Sequence, residues 1–214
     1  MERHDGDDWL EAGRLLFARP VTFMLSVVAM DKLPPPDLPE ICFAGRSNVG
    51  KSSLINALTN QNKLAKASNT PGRTRELNYF NVSDRLRIVD LPGYGYARAS
   101  KTDIAKWTKL TRRFLAGRAP LRRIFLLIDS RHGLKDTDLE IMSMLDETAV
   151  TYQIVLTKID KLKKGEAEKV LAKVADAIKR RPAAFPVPVL TSSEKKSGLD
   201  ELRAQIASLA LPAE

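Results

Sequence analysis

Residues 45–52 read Gly-Arg-Ser-Asn-Val-Gly-Lys-Ser, and their types and spacing suit the binding of phosphate. Gly45 and Gly50 permit backbone angles closed to other residues, so N–H groups along Arg46, Ser47, Asn48 and Val49 can converge on phosphate oxygens. Lys51 brings a full positive charge to the β- and γ-phosphates of a nucleotide, and the Ser52 hydroxyl is placed to ligate Mg²⁺. An apolar run, Ile41 to Ala44, leads into this loop, and a helical stretch, Leu54 to Leu58, leaves it. The N-terminal end of that helix presents its dipole to the same anion.

Four further groups fit one nucleotide. Asp90-Leu91-Pro92-Gly93 follows an apolar run; its carboxylate can hold Mg²⁺ through water, and the Gly93 N–H can reach a γ-phosphate. Thr157-Lys158-Ile159-Asp160 offers a carboxylate that can accept hydrogen bonds from guanine N1–H and N2–H₂, a donor pair adenine lacks. The Lys158 stem can cover a face of the base. Thr191, Ser192 and Ser193 can offer backbone N–H groups to guanine O6, where adenine carries a donor. In the polar segment 60–74, Thr74 can add a second hydroxyl to Mg²⁺ and its N–H to the γ-phosphate. Loss of that phosphate would release the segment, which is a switch.

The elements that must hold these groups alternate. Strands are expected at 41–44, 77–82, 86–89, 124–128, 152–156 and 187–190, and Ser83-Asp84 supply a turn between the second and third. Helical spacing marks 9–19, 54–58, 101–116, 139–145, 170–178 and 199–209. That order predicts an α/β fold with a mostly parallel six-stranded sheet and helices on both faces. All the candidate motifs then fall at the carboxyl ends of strands, where such sheets bind ligands. Residues 1–39 read as an N-terminal extension and linker, stiffened by Pro34, Pro35, Pro36 and Pro39, ahead of a domain spanning 40–214. The apolar stretch 21–30 is half the length a spanning helix needs and is expected to pack on the domain.

Composition narrows the class. A single cysteine, Cys42, excludes a disulfide framework within the chain and fits a reducing cytoplasm. The net charge of +9 is concentrated: residues 98–123 hold nine Lys or Arg against Asp103, a local excess of +8. Such an excess suits a polyanion, because each phosphate contact releases counterions.

Taken together, Gly45 to Ser52, Pro71-Gly72-Arg73-Thr74, Asp90-Leu91-Pro92-Gly93-Tyr94-Gly95-Tyr96, Thr157 to Asp160 and Thr191 to Ser193 resemble the five nucleotide motifs of the bacterial EngB GTPases. The resemblance runs from about residue 20 to the C-terminus. It implies a Ras-like P-loop G domain that hydrolyses GTP to GDP with Mg²⁺, held by Ser52 and Thr74 together with Asp90. Residues 45–52, Gly72, Arg73, Thr74, Arg75, Glu76, Asp90 to Gly93, Thr157 to Asp160 and 191–193 would surround the nucleotide, with Lys51, Thr74, Asn48 and Gly93 acting in hydrolysis. It also implies a role in assembling the large ribosomal subunit and a need for the protein in division and septation; with the charge excess, this makes ribosomal RNA or a large-subunit precursor the expected partner of 98–123, and a cytoplasmic monomer the expected form. Tyr94 stands where Ras-like enzymes carry the glutamine that orients water, so turnover is expected to be slow. Asn48 is similar to an asparagine that holds K⁺ in related GTPases, and Thr157 replaces a more usual asparagine. Two rival readings are a nucleotide-gated scaffold at the septum and an ATPase or nucleoside kinase, the latter disfavoured by Asp160.

Overall fold

The computed structural model describes residues 6–65, 76–95 and 101–210, with side chains from residue 8 in the first stretch and from 109 in the last. Gly72, Arg73, Thr74, Arg75, Tyr96 and Arg98 lie outside the described residues, as do the side chains of Lys101 and Lys106.

The run from Ile41 to Ala44 is apolar throughout because β2 (Glu40–Gly45) lies at the centre of the sheet and is buried on both faces. It pairs in parallel with β4 (Leu86–Asp90) on one side and β5 (Leu121–Asp129) on the other. Beyond β5 come β6 (Tyr152–Thr157) and β7 (Val189–Leu190), also parallel. β7 is only two residues long because Pro186 and Pro188 have no N–H for the ladder. On the far side β3 (Leu77–Val82) runs antiparallel to β4, joined by a tight turn in which Ser83 (φ 47) and Asp84 (φ 55) are both left-handed.

The sheet has seven strands, one more than the sequence suggests. β1 (Val21–Val27) pairs antiparallel with β3 and forms the edge, in the order β1-β3-β4-β2-β5-β6-β7. A bulge between Phe23 and Leu25 breaks its two-residue alternation, which is why the stretch reads as generically apolar.

Helices cover both faces. α1 (Gly6–Ala18), α2 (Lys51–Leu58) and α6 (Leu199–Ala210) bury Leu16, Phe17, Leu54, Ile55, Leu202 and Ile206 against Ile41 and Phe43. α3 (Lys101–Gly117), α4 (Asp136–Glu147) and α5 (Glu166–Ile178) bury Phe114, Met142, Leu145, Val174 and Ile178 against the opposite face, where Cys42 is fully buried. Arg203 of α6 donates to the carbonyls of Ala57 and Leu58 and so caps the C-terminus of α2, with its guanidinium over the Phe17 ring. Among the described residues, no helix is long and apolar enough to cross a membrane.

Two arginines of the basic stretch do structural work, which corrects its reading as one continuous polyanion surface. Arg118 grips the fully buried Glu40 carboxylate through two hydrogen bonds, of 2.9 and 2.5 Å, and also donates to the Pro34 carbonyl. With Arg87, which donates to Pro35 and pairs with Asp37 at 2.6 Å, it pins the proline connector to the sheet. Arg123 stacks on the Phe185 ring at 3.9 Å and donates to Gln153. Lys109, Arg112, Arg113 and Arg122 remain exposed.

Candidate nucleotide site

Between β2 and α2 the chain must turn sharply, and two left-handed residues make the turn: Asn48 at φ 63 and Gly50 at φ 103. A side chain at Gly50 would be strained, as the sequence pattern anticipates. The side chains of Arg46 and Val49 point away from the loop's inner surface, Arg46 towards Asp138 at 3.3 Å and Val49 into the core. The backbone is therefore the binding surface. The N–H groups of Asn48, Gly50 and Lys51 have no acceptor among the described residues, as an anion cradle requires. Ser47 is spent differently, donating its N–H to the Tyr94 carbonyl at 2.9 Å.

β4 delivers its terminal Asp90 to the start of α2. The carboxylate is nearly buried and pairs with the Lys51 ammonium. Ser52 follows on the same helix turn, so a hydroxyl, a carboxylate and an ammonium converge at the end of the loop. Hydroxyl and carboxylate oxygens suit Mg²⁺, which keeps several waters and takes few protein ligands. Among the described residues there is no cluster of three or more His, Cys, Asp or Glu that could hold a metal ion. Leu91 and Pro92 turn into the core, so only their backbone can face a ligand. Gly93 runs against the loop, where an added Cβ would stand 3.3 Å from Ser47 Cα. Glu76 is half-buried just before β3.

Tyr94 is turned inward. It is 7% exposed, and its hydroxyl donates to Asp138 Oδ1 at 2.8 Å. Burial, reinforced by the Asp138 charge, pushes its phenol far above the ordinary range.

β6 supplies the third group. The Thr157 hydroxyl donates to the Val49 carbonyl at 2.7 Å, and Lys158 Nζ donates to the Asn48 carbonyl at 2.6 Å. Both residues thus clamp the phosphate loop from outside. Asp160 accepts from the Ser192 hydroxyl at 2.5 Å, and its other oxygen faces Lys161 Nζ at 3.2 Å. The Ser192 hydrogen bond, opposed by burial and helped by Lys161, holds the Asp160 carboxyl below the usual range, so it is an acceptor at neutral pH. A cavity of about 540 Å³ opens here, lined by Gly50, Lys158, Asp160, Lys161, Ser193 and Glu194 among others.

The stretch 191–193 needs a correction of detail. Thr191 donates its N–H to Leu156 at 2.7 Å and Ser192 to Ser197 at 3.0 Å, so neither is available to a base. The N–H groups of Ser193 and Glu194 have no acceptor among the described residues, and they are the candidates for a base carbonyl. Sequence reasoning also missed Asp129 and Asp138. Asp129 ends β5 as Asp90 ends β4 and Thr157 ends β6; that shared strand-end position was the available signal. Asp138 is fully buried within α4, and no pattern in the sequence marks it.

Residues 40–158 match a family model described as 50S ribosome-binding GTPase. The chain is 60% identical over 208 residues to a probable GTP-binding protein EngB of Hyphomonas neptunium, covering 96% of this chain and 94% of the relative. It is 56% identical to one of Caulobacter vibrioides, covering 96% and 90%. Among solved structures, a probable GTP-binding protein engB aligns with a TM-score of 0.65 at 24% identity, covering 80% of this chain and 98% of that one. Era in complex with MgGDPNP and nucleotides 1506–1542 of 16S ribosomal RNA aligns with a TM-score of 0.63 at 26% identity, covering 83% and 58%.

Proposed function

The chain belongs to the EngB family of GTP-binding proteins and is a GTPase, and on that premise we propose that it is a slow guanine-nucleotide switch whose GTP form acts on precursors of the large ribosomal subunit. The nucleotide half rests on one observation above others: Thr157 and Lys158 grip the carbonyls of the phosphate loop while Asp160, two residues on, faces the adjoining cavity. A nucleotide laid across them puts its phosphates on the free N–H groups of residues 48–51 and its base against Asp160. Asp160 then takes N1–H and N2–H₂ of guanine, and Ser193 or Glu194 donates to O6. Adenine would bring neither donor to the carboxylate and would set its own amino group against the Ser193 and Glu194 N–H groups, a mismatch that the site rejects.

Ser52, Asp90 and Thr74 are the residues that would hold Mg²⁺, in keeping with the MgGDPNP of the Era structure. When bound, the ion neutralises charge developing on the phosphate oxygens. Lys51 adds its charge at the same phosphates, and Asp90 keeps that ammonium directed toward the loop. Hydrolysis is slow on this reading because the side chain after Gly93 is a phenol committed to Asp138, leaving no amide to orient water. Exposed Asn48 is the proposed site for a K⁺ ion that compensates; equal rates in Na⁺ and K⁺ would remove that ion from the scheme.

Support for the ribosomal half comes from the family model's description and from the exposed cations Lys109, Arg112, Arg113 and Arg122, on or just beyond α3. On the same reading the protein works as a monomer in the cytoplasm and is needed for normal division and septation. The nucleotide assignment is tested by Asp160→Asn, which exchanges an acceptor for a donor. The variant should lose GTP affinity by roughly 100-fold and gain xanthosine triphosphate, whose ring presents an acceptor there. An unchanged preference for GTP would overturn the guanine site.

A further inference from the structure

Asp129 lies outside every nucleotide motif, yet it is 4% exposed and holds two cations at once. Arg131 places Nε on Oδ1 at 2.9 Å and Nη2 on Oδ2 at 2.7 Å, and its backbone N–H reaches Oδ1 at 3.1 Å. Lys158 Nζ shares Oδ2 at 2.9 Å. The same Nζ then donates to the Asn48 carbonyl, and the Lys158 stem passes over Gly50, with Cε 3.5 Å from where a Cβ would stand. Asn48 and Lys158 are both left-handed, at φ 63 and 60, so this ammonium ties together two turns that resist their own conformations.

We infer that Asp129 is a positioning residue for nucleotide retention: through Lys158 Nζ it holds the Asn48 carbonyl, and so the curvature of the phosphate loop. A lysine stem is flexible, and one hydrogen bond to a carbonyl at an exposed loop does not fix it. A buried carboxylate does, because a charge-assisted bond in low dielectric is stronger and directional. Arg131, 43% exposed, holds that carboxylate from its solvent side. Burial alone would raise the Asp129 carboxyl, but the Arg131 and Lys158 hydrogen bonds outweigh it, so the group stays charged well below neutral pH. Removing the charge leaves two cations facing each other, and Lys158 swings away from Asn48.

The inference rests on Lys158 belonging to the nucleotide site, and the test separates the two. Release of a fluorescent GDP analogue is timed by stopped flow for the wild type, Asp129→Asn, Lys158→Met and the double variant. Each single change should speed release about tenfold, the low end for a charge-assisted hydrogen bond, and the double should match Lys158→Met. Wild-type release from Lys158→Met would remove Lys158 from the site. Fast release from Lys158→Met with normal release from Asp129→Asn, or multiplied effects in the double, would overturn the role of Asp129 alone. Should Asp129→Asn not fold, Arg131→Glu serves, because its carboxylate draws Lys158 outward from an exposed position. It should speed release severalfold in the wild type and not at all beside Lys158→Met; no acceleration in the wild type overturns the inference.

Discussion

At the scale of single residues, the site divides into groups that face the nucleotide and groups that hold those in place. On the proposed reading Lys51, Ser52 and Asp160 are of the first kind; Thr157, Asp138 and Asp129 are of the second. The first kind is proposed from sequence because its chemistry dictates residue type and spacing: a lysine beside a hydroxyl after two glycines, or an aspartate after a strand-end lysine. The second kind was not legible there, because Asp138 contacts Tyr94 across 44 positions and Arg46 across more. Tyr94 shows the difference well. Sequence placed it where an amide would orient water; the structure shows a buried phenol that serves Asp138 instead. Tyr94→Phe should therefore leave GTP turnover within about twofold of normal while lowering stability by about 1–3 kcal/mol, since a buried carboxylate loses a donor. Denaturant unfolding and a phosphate-release assay check the two halves.

The elements explain why the basic stretch is less uniform than its sequence. α3 ends and β5 begins beside the amino end of β2, and there Arg118 and Arg123 meet Glu40 and Phe185, partners that draw them inward. Charge counting along a chain cannot see Glu40 or Phe185, which lie 78 and 62 positions away from those arginines. Exposed cations remain on α3, and changing Lys109, Arg112 and Arg113 together to Glu should abolish co-sedimentation with ribosomal particles at moderate salt. Unchanged co-sedimentation would exclude this face as the docking surface. α1 and β1 teach a similar lesson: both extend the core, α1 through Phe17 and β1 through Val21 and Val27. Their signal was weak because β1 is bulged and is buried only at its two ends, whereas the central strands announce themselves as unbroken apolar runs. Phe17→Ala should cost about 3–5 kcal/mol in denaturant unfolding, as expected of a core aromatic rather than a loose tail.

For the whole molecule, pH response follows from burial. Tyr152 is pushed up to about 12 by burial and then by the Asp146 charge, and burial moves Tyr79 and Tyr94 in the same direction. A folded pKa raised above the unfolded one, near 10 for tyrosine, contributes stability that is present below pH ~10 and lost as pH rises through the folded value. The melting temperature should thus fall steadily between pH ~10 and 12, and a flat profile there would mean these phenols are not held as described. Architecture links this body to its task. The phosphate loop and the start of α2 are held from the ends of β6 and β4, so on the proposed reading loss of the γ-phosphate would be felt at the end of β4, from which the chain runs on to α3 and its exposed cations. The most direct test is sedimentation of the purified protein with large ribosomal subunits in a non-hydrolysable GTP analogue, in GDP and in the ATP counterpart. The switch account predicts a bound protein with the GTP analogue and a free one with GDP or the ATP analogue; equal binding in all three, or none in any, would contradict it.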